Sequence, residues 1–231
     1  MPIILHLETS TSVCSTALSI DGKLHIRRME HHGPSHAVLL ATFVDEILKQ
    51  LRQENIRPDA VAVSSGPGSY TGLRIGVSMA KGLCFGWNVP LIAVDTLKLL
   101  AVSALAADQS IDESTLLCPM IDARRMEVYS AIYNSSLEPI RSTTAEIVEH
   151  DTYLLWLEEH PMLFFGNGAE KCRNLIQHPN ARFLNDIVPD AAQMISLAEK
   201  AFFEQKFENT AYFEPFYLKD FIATTPKNKL F

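Results

Sequence analysis

Positive charge is scarce in this chain of 231 residues: 20 Lys and Arg stand against 27 Asp and Glu, for a formal charge of −7. That balance argues against a stand-alone nucleic-acid binder, because phosphate contacts need a concentrated basic face. Cysteine is scarce as well. Cys14, Cys84, Cys118 and Cys172 are scattered without paired or metal-type spacing, which points to reduced thiols serving as small core residues in a cytoplasmic protein. No hydrophobic run suits a membrane: the longest, 90–107, is interrupted by Asp95 and Lys98 and reads as a strand followed by a helix. The amino terminus, Met1-Pro-Ile-Ile-Leu-His-Leu-Glu8, lacks a cationic leader and meets an acid after a short apolar run, so it reads as a first strand rather than a signal peptide. Ser64 and Ser65 lack the glycine of a serine elbow, and no Cys and His stand at a diagnostic spacing. A hydrolytic triad is not supported.

What is present is the balance of an ordinary globular protein, 47% hydrophobic and 20% charged, in a chain long enough to bury a real core. Segments 3–8, 13–20 and 23–30 read as strands, the last two joined by Asp21-Gly22, a type I′ hairpin signal. Over 36–55, Leu40, Val44, Ile47 and Leu51 recur at helical spacing while Asp45, Glu46, Lys49 and Arg52 take the other side, the mark of an amphipathic helix. Strand 60–64, helix 71–85, strand 91–94 and helix 96–107 complete a β-β-β-α-β-α-β-α series. The polar segment 108–115 breaks the pattern and divides the chain into 1–107 and 108–231, with a tail after about 213 free to pack back on the first part. A second series begins in the same way. The apolar run 116–121 leads to Asp122 as the first run ended in Glu8, a turn follows, and an alternating strand returns over 126–133. Strands at 140–143 and 162–165 and helices at 151–159, 169–177 and 191–204 follow. Two copies of one α/β topology resemble the actin-like, sugar-kinase and Hsp70-type ATPase fold of the ribonuclease H-like class; the alternative is another doubly wound α/β protein.

The stretch 61–76 carries the most information: a buried-type strand, the turn Ser65-Gly66-Pro67-Gly68-Ser69, and a helix start at Tyr70-Thr71-Gly72. Gly66 and Gly68 permit positive φ, and Ser69 or Thr71 can cap the helix. The bland reading is a tight strand-to-helix connection, and the functional one is an anion site at the helix start. Neither common phosphate fingerprint fits, since no Lys-Ser/Thr follows the second glycine and Thr71 stands where a third glycine belongs. His32 and His36 have the i, i+4 spacing of a metal pair, but Gly33-Pro34 breaks the helix that would align them. Ser35 reads better as a helix N-cap, and no metal site is expected.

The string Ser-Gly-Pro-Gly-Ser-Tyr-Thr-Gly-Leu-Arg-Ile-Gly at 65–76 resembles the TsaB-type subunit of the bacterial machinery that makes threonylcarbamoyladenosine in tRNA. So do Leu7-Glu8-Thr9-Ser10-Thr11, Asp122-Ala-Arg-Arg125, Gly166-Asn-Gly-Ala169 and Glu214-Pro-Phe-Tyr-Leu-Lys219. The resemblance implies a non-catalytic scaffold that pairs with a TsaD-type catalytic subunit, works with a TsaE-type ATPase, can form a homodimer when alone, and meets tRNA only through the complex. It also implies no tightly bound cofactor and ATP or ADP at the level of the complex.

In the resembled fold, an acid and a hydroxyl-rich hairpin surround phosphates, which marks Glu8, Ser10 and Thr11, with Asp122 equivalent in the second half. Two such carboxylates facing a cleft can hold a magnesium nucleotide. Gly166 and Gly168 stand where the fold receives adenosine, and Arg124 and Arg125 are either phosphate partners or solvated. On the helix after Thr71, Gly72, Gly76, Ala80 and Cys84 recur every fourth residue and only Arg74 and Lys81 are charged. A helix apolar almost all round is buried on more than one side. Its internal glycines cost about 1 kcal/mol each relative to alanine, so close packing must compensate. The choice lies between burial in its own domain and an interface. The resemblance favours the interface, with Leu40, Val44 and Ile47 on the first helix and Gly72, Leu73, Arg74, Gly76, Met79, Ala80 and Leu83 on the second. A self-sufficient ATPase and a metallopeptidase are the competing functions.

Overall fold

The period of two in the first strand decides the layers. In β1 (Ile3–Glu8), Leu5 and Leu7 enter one apolar cluster and Ile4 another on the opposite side. A strand buried on both faces must lie inside a sheet covered twice. The computed structural model describes residues 1–31 and 35–218. Antiparallel to β1 runs β2 (Cys14–Ile20), followed by β3 (Lys23–Glu30) through Asp21 and Gly22, both at positive φ. The helix α1 (His36–Glu54) leads to β4 (Ala60–Gly66), parallel to β1; α2 (Tyr70–Trp87) leads to β5 (Leu91–Asp95), parallel to β4. The sheet order is β3-β2-β1-β4-β5.

After α3 (Thr96–Ala107) the plan repeats: β6 (Leu116–Asp122), β7 (Glu127–Tyr133) and β8 (Pro139–Ile147) form an antiparallel meander. A short helix α4 (Leu154–Glu159) leads to β9 (Met162–Phe165), parallel to β6, and β10 (Ala181–Leu184) adds parallel to β9. The order β8-β7-β6-β9-β10 is the first sheet's order with the second set of strands. The fold is the actin-like α/β class, with its two halves legible as a duplication.

Several boundaries differ from the sequence expectation. The expected helix 151–159 begins only at Leu154, and the expected helix 169–177 is a 3₁₀ turn at Glu170–Cys172 within a series of tight turns. That winding lets Lys171 reach the carbonyls of Arg125 and Glu127, at 2.8 and 2.7 Å. The strand β10 was not expected. The boundary placing everything after 108 in a second domain is also corrected, because the return to the first sheet begins at Asp190, well before 213. A 3₁₀ turn (Ala191–Met194) and α5 (Ile195–Phe203) put Met194 and Ala198 against Ile4, Ala60, Ala62 and Ile92. Asp190 pairs with Arg27 at 2.8 Å, and Ala191 N–H donates to Ser15 Oγ. Helix α3 works as the middle layer: Leu97, Leu100, Ala101 and Ala104 pack on the second sheet, and Leu99 on the first. No described helix is long and apolar enough to cross a membrane.

Candidate functional site

The turn after β4 and the hairpin after β1 are built into each other. Ser69 caps α2, its Oγ accepting from Gly72 N–H at 3.2 Å, and its own N–H donates to Ser10 O at 2.7 Å. Thr9 Oγ1 donates to Gly72 O at 2.7 Å. A Cβ added at Gly68 would collide with Ser10 O, one at Gly72 with Thr9 O, and one at Gly76 with Thr9 Oγ1. Two of the donors at this helix start, Ser69 N–H and Gly72 N–H, thus serve the chain itself.

Inside that closure sits Glu8, fully buried. One carboxylate oxygen accepts from both Ser10 N–H and Ser10 Oγ at 2.5 Å, while the other has no partner and is enclosed. Burial, the largest influence, pushes the Glu8 carboxyl above the usual carboxylate range against the opposing Ser10 bonds. The rest of the hairpin is likewise occupied, with Thr11 Oγ1 accepting from Val13 N–H and Thr11 O hydrogen-bonded to His36 Nε2. His32 and its neighbours Gly33 and Pro34 lie outside the described residues. Among the described residues no three His, Cys, Asp or Glu cluster as metal ligands.

The equivalent acid in the second half is open. Asp122 keeps 46% of its side-chain exposure, accepts from Arg124 N–H at 2.9 Å, and pairs with Lys171. The expectation of two equivalent carboxylates facing a cleft is therefore corrected: Glu8 is enclosed in its hairpin, and Asp122 alone is accessible. Arg124 and Arg125 both occupy the left-handed region on an exposed turn. Gly166 takes φ +95° and, with Asn167, Glu170, Phe183 and Asn185, lines a cavity of about 450 Å³. Gly168 lies beneath, packed against Ile121 and Asp122 backbone, and Asn167 Oδ1 accepts from Asp122 N–H.

The two helices over the first sheet sort the interface candidates by depth. Leu40, Val44 and Ile47 are buried against the sheet, as are Leu73 and Ala80. Gly72 and Gly76 face Thr9. These seven do not present an outward surface, because the small-residue stripe lets α2 settle onto its own hairpin rather than onto a partner. Arg74, Met79 and Leu83 do line an outward groove of about 670 Å³ between α1 and α2, with Tyr70, Ile75 and Gly82. One turn beyond, Phe85 is 87% exposed. Tyr70, Ile75, Gly82 and Phe85 are not among the sequence candidates; the signal for them is the other side of the same helix, where Gly82 and Gly86 face open space.

The comparisons with known proteins agree along the whole chain. A family model described as TsaD, tRNA N6-adenosine threonylcarbamoyltransferase, matches residues 30–227. The tRNA threonylcarbamoyladenosine biosynthesis protein TsaB of Escherichia coli is 31% identical, covering 95% of this chain and 96% of that protein. The protein of the same name from Haemophilus influenzae is 30% identical, over 94% and 93%. A solved structure from Pseudomonas aeruginosa, described as an uncharacterized protein with similarity to peptidase YeaZ, superposes with a TM-score of 0.79 at 27% identity, over 95% of this chain and 100% of that one.

Proposed function

The chain belongs to the TsaB family, within the wider family of the tRNA N6-adenosine threonylcarbamoyltransferases, and from that membership we propose that it is a non-catalytic scaffold that pairs with a TsaD-type transferase. Its place is the biosynthesis of threonylcarbamoyladenosine in tRNA. The observation that carries the pairing is the groove between α1 and α2, an apolar channel flanked by a Phe85 ring left almost wholly in water. Apolar surface of this kind at a helix pair marks a docking site. A second copy of the chain takes the same face when the transferase is absent, and a TsaE-type ATPase joins the assembled pair.

Contact with tRNA belongs to the partner. Both arginines of β3 are matched by acids, Arg28 with Glu46 at 2.6 Å and Arg27 with Asp190 at 2.8 Å, which thins the positive charge along that edge. ATP or ADP acts at the level of the complex. A self-sufficient ATPase is not favoured, because the carboxyl that would have to meet a metal ion, Glu8, is fully buried and held by Ser10.

Mixing the purified chain with a TsaD-type transferase on a size-exclusion column tests the pairing. Arg74→Glu reverses the charge at the groove and Met79→Asp places a new one there; both are expected to abolish co-elution while leaving circular dichroism unchanged. Leu155→Glu, on the exposed side of α4 in the other half, serves as the control and keeps pairing. Folded groove variants that still co-elute would refute the docking face.

A further inference from the structure

Beyond α5 the chain crosses the first half as an extended strap, 207–218, held at four points. Glu208 N–H donates to Leu91 O at 2.9 Å. Lys81 of α2 donates to the carbonyls of Ala211 and Phe213, both at 3.1 Å, and Phe213 packs into the cluster beneath α1 and α2. Phe216 N–H donates to Ser65 O at 2.7 Å, and the absence of a Cβ at Gly66 makes room for Phe216 O, which would stand 2.8 Å from it. Finally, the Tyr217 ring lies 5.0 Å from the Tyr70 ring, tilted by 42°.

The last contact leads into the groove. Tyr70 Oη accepts from Arg74 Nη1 at 3.1 Å, and the Arg74 guanidinium also lies 5.3 Å over the Tyr70 ring. Tyr70 and Arg74 both line the groove, so the strap reaches it through one ring. Nor does the strap behave as a mere closing segment: Phe213 turns inward, but Tyr217, against the groove residue Tyr70, keeps 37% of its exposure and Phe216 before it 46%. A stable protein interface takes about 20–30 residues a side, whereas nine line the groove. A partner seated there must therefore extend over its rim, and the strap supplies apolar surface continuous with it.

We infer that the strap is the third segment of the docking face, with Tyr217 as the positioning residue that fixes Tyr70 and, through it, Arg74 for the transferase-type partner. This rests on the reading of the groove given above. Aromatic contacts of this geometry are favourable and directional, so losing one ring removes one of the contacts that orient the other.

Binding of the full chain to a TsaD-type transferase, measured by calorimetry, tests it. Tyr217→Ala is expected to weaken binding at least tenfold without changing the thermal midpoint, and Tyr217→Phe to restore it, since the ring and not the hydroxyl makes the contact. Lys81→Met, which releases the strap from the α2 side, is expected to act in the same direction. Tyr212→Ala, at a strap residue 83% exposed, should change binding less than twofold. The double variant Tyr217→Ala/Arg74→Ala should bind no more weakly than Arg74→Ala alone, because Tyr217 acts through Arg74. Multiplying effects would overturn the positioning role, and a folded Tyr217→Ala chain that binds as the wild type does would overturn the inference while leaving the groove in place. A wild-type chain that fails to bind would instead remove the groove reading and this one with it.

Discussion

The two halves answer the same topological problem differently at the end of their first strand. In the first, Glu8 leads into a hairpin over which an 18-residue helix, α2, is laid down through Gly72 and Gly76. In the second, Asp122 leads into a hairpin that meets only the 3₁₀ turn Glu170–Cys172 and a cavity of about 450 Å³. A duplicated scaffold does not duplicate a site. What differs is the element after the fourth strand of each half: where it is a long helix carrying small residues, the hairpin is sealed and the helix's other side is released for docking. Where it is a short turn, the acid stays in water.

The largest expected effect breaks that seal. At Gly72 an added Cβ would press on the Thr9 carbonyl, and at Gly76 on the Thr9 hydroxyl with Val63 at 3.4 Å. Backbone cannot move aside as a side chain can. Gly72→Ala should therefore cost about 3 kcal/mol and Gly76→Val at least as much, both in urea unfolding. Gly168→Ala, whose Cβ would stand 2.9 Å from Ile121 backbone in the open half, should cost roughly half of that because the adjoining cavity lets its turn give way. Equal losses in the two halves would remove the distinction between sealed and open.

A smaller effect reads the sealed acid by pH. The Glu8 carboxyl is raised by burial above its ordinary value of 4.5, so between 4.5 and its folded value the native state binds a proton that the unfolded chain has released. Its contribution is fully present below pH 4.5 and is lost as pH rises through the folded value, at up to about 1.4 kcal/mol per pH unit within that window. His6 works in the opposite sense. Fully buried beside Ser19, its imidazole is lowered from 6.5 to about 3 by burial; its contribution is complete above pH 6.5 and is lost as pH falls towards 3. The two slopes oppose each other between pH 4.5 and 6.5, so the variants separate them: Glu8→Gln should remove the loss of stability that begins above pH 4.5, and His6→Gln the loss that begins below pH 6.5, both read from unfolding free energies across pH. Asp122→Asn should cost less than about 1 kcal/mol through its pair with Lys171 at the surface. A loss of stability above pH 4.5 that persists unchanged in Glu8→Gln would show that the sealed acid is not its source.

Local signals in the sequence accounted for much of the scaffold. The Leu40, Val44, Ile47, Leu51 repeat marked α1, Asp21-Gly22 marked the hairpin, and apolar runs ending in Glu8 and Asp122 exposed the duplication. Less legible was anything decided by a distant neighbour. A stripe of Gly72, Gly76 and Ala80 is equally suited to a partner's helix or to Thr9, more than sixty residues earlier, and periodicity cannot tell the two apart. Likewise β10 is too short to alternate, with Arg182 in its four residues. The return of the chain at Asp190 depends on an ion pair with Arg27 across 163 positions. Asp122 and Glu8 looked equivalent because their surroundings, not their own segments, set them apart.

The smallest effect has the opposite sign and lies on the same helix. Gly82 and Gly86 are inside α2, yet a Cβ at either meets nothing within 4 Å. Neither has a positive φ, so alanine fits the backbone and removes conformational freedom from the unfolded chain. Gly82→Ala and Gly86→Ala should each stabilise the isolated chain by about 0.5–1 kcal/mol, seen as a higher thermal midpoint, whereas Gly72→Ala, earlier on the same helix, destabilises it. One residue type then carries two meanings set by which side of the helix it occupies. The open pair also bears on docking, because Gly82 lines the groove and a methyl there takes space that a partner's side chain can use. Gly82→Ala should consequently be more stable alone and pair more weakly, a split that a purely structural glycine does not produce. A Gly82→Ala chain that is destabilised would mean that the outer side of α2 is as closely packed as the inner one, and the contrast between the sealed hairpin and its released helix face would fail.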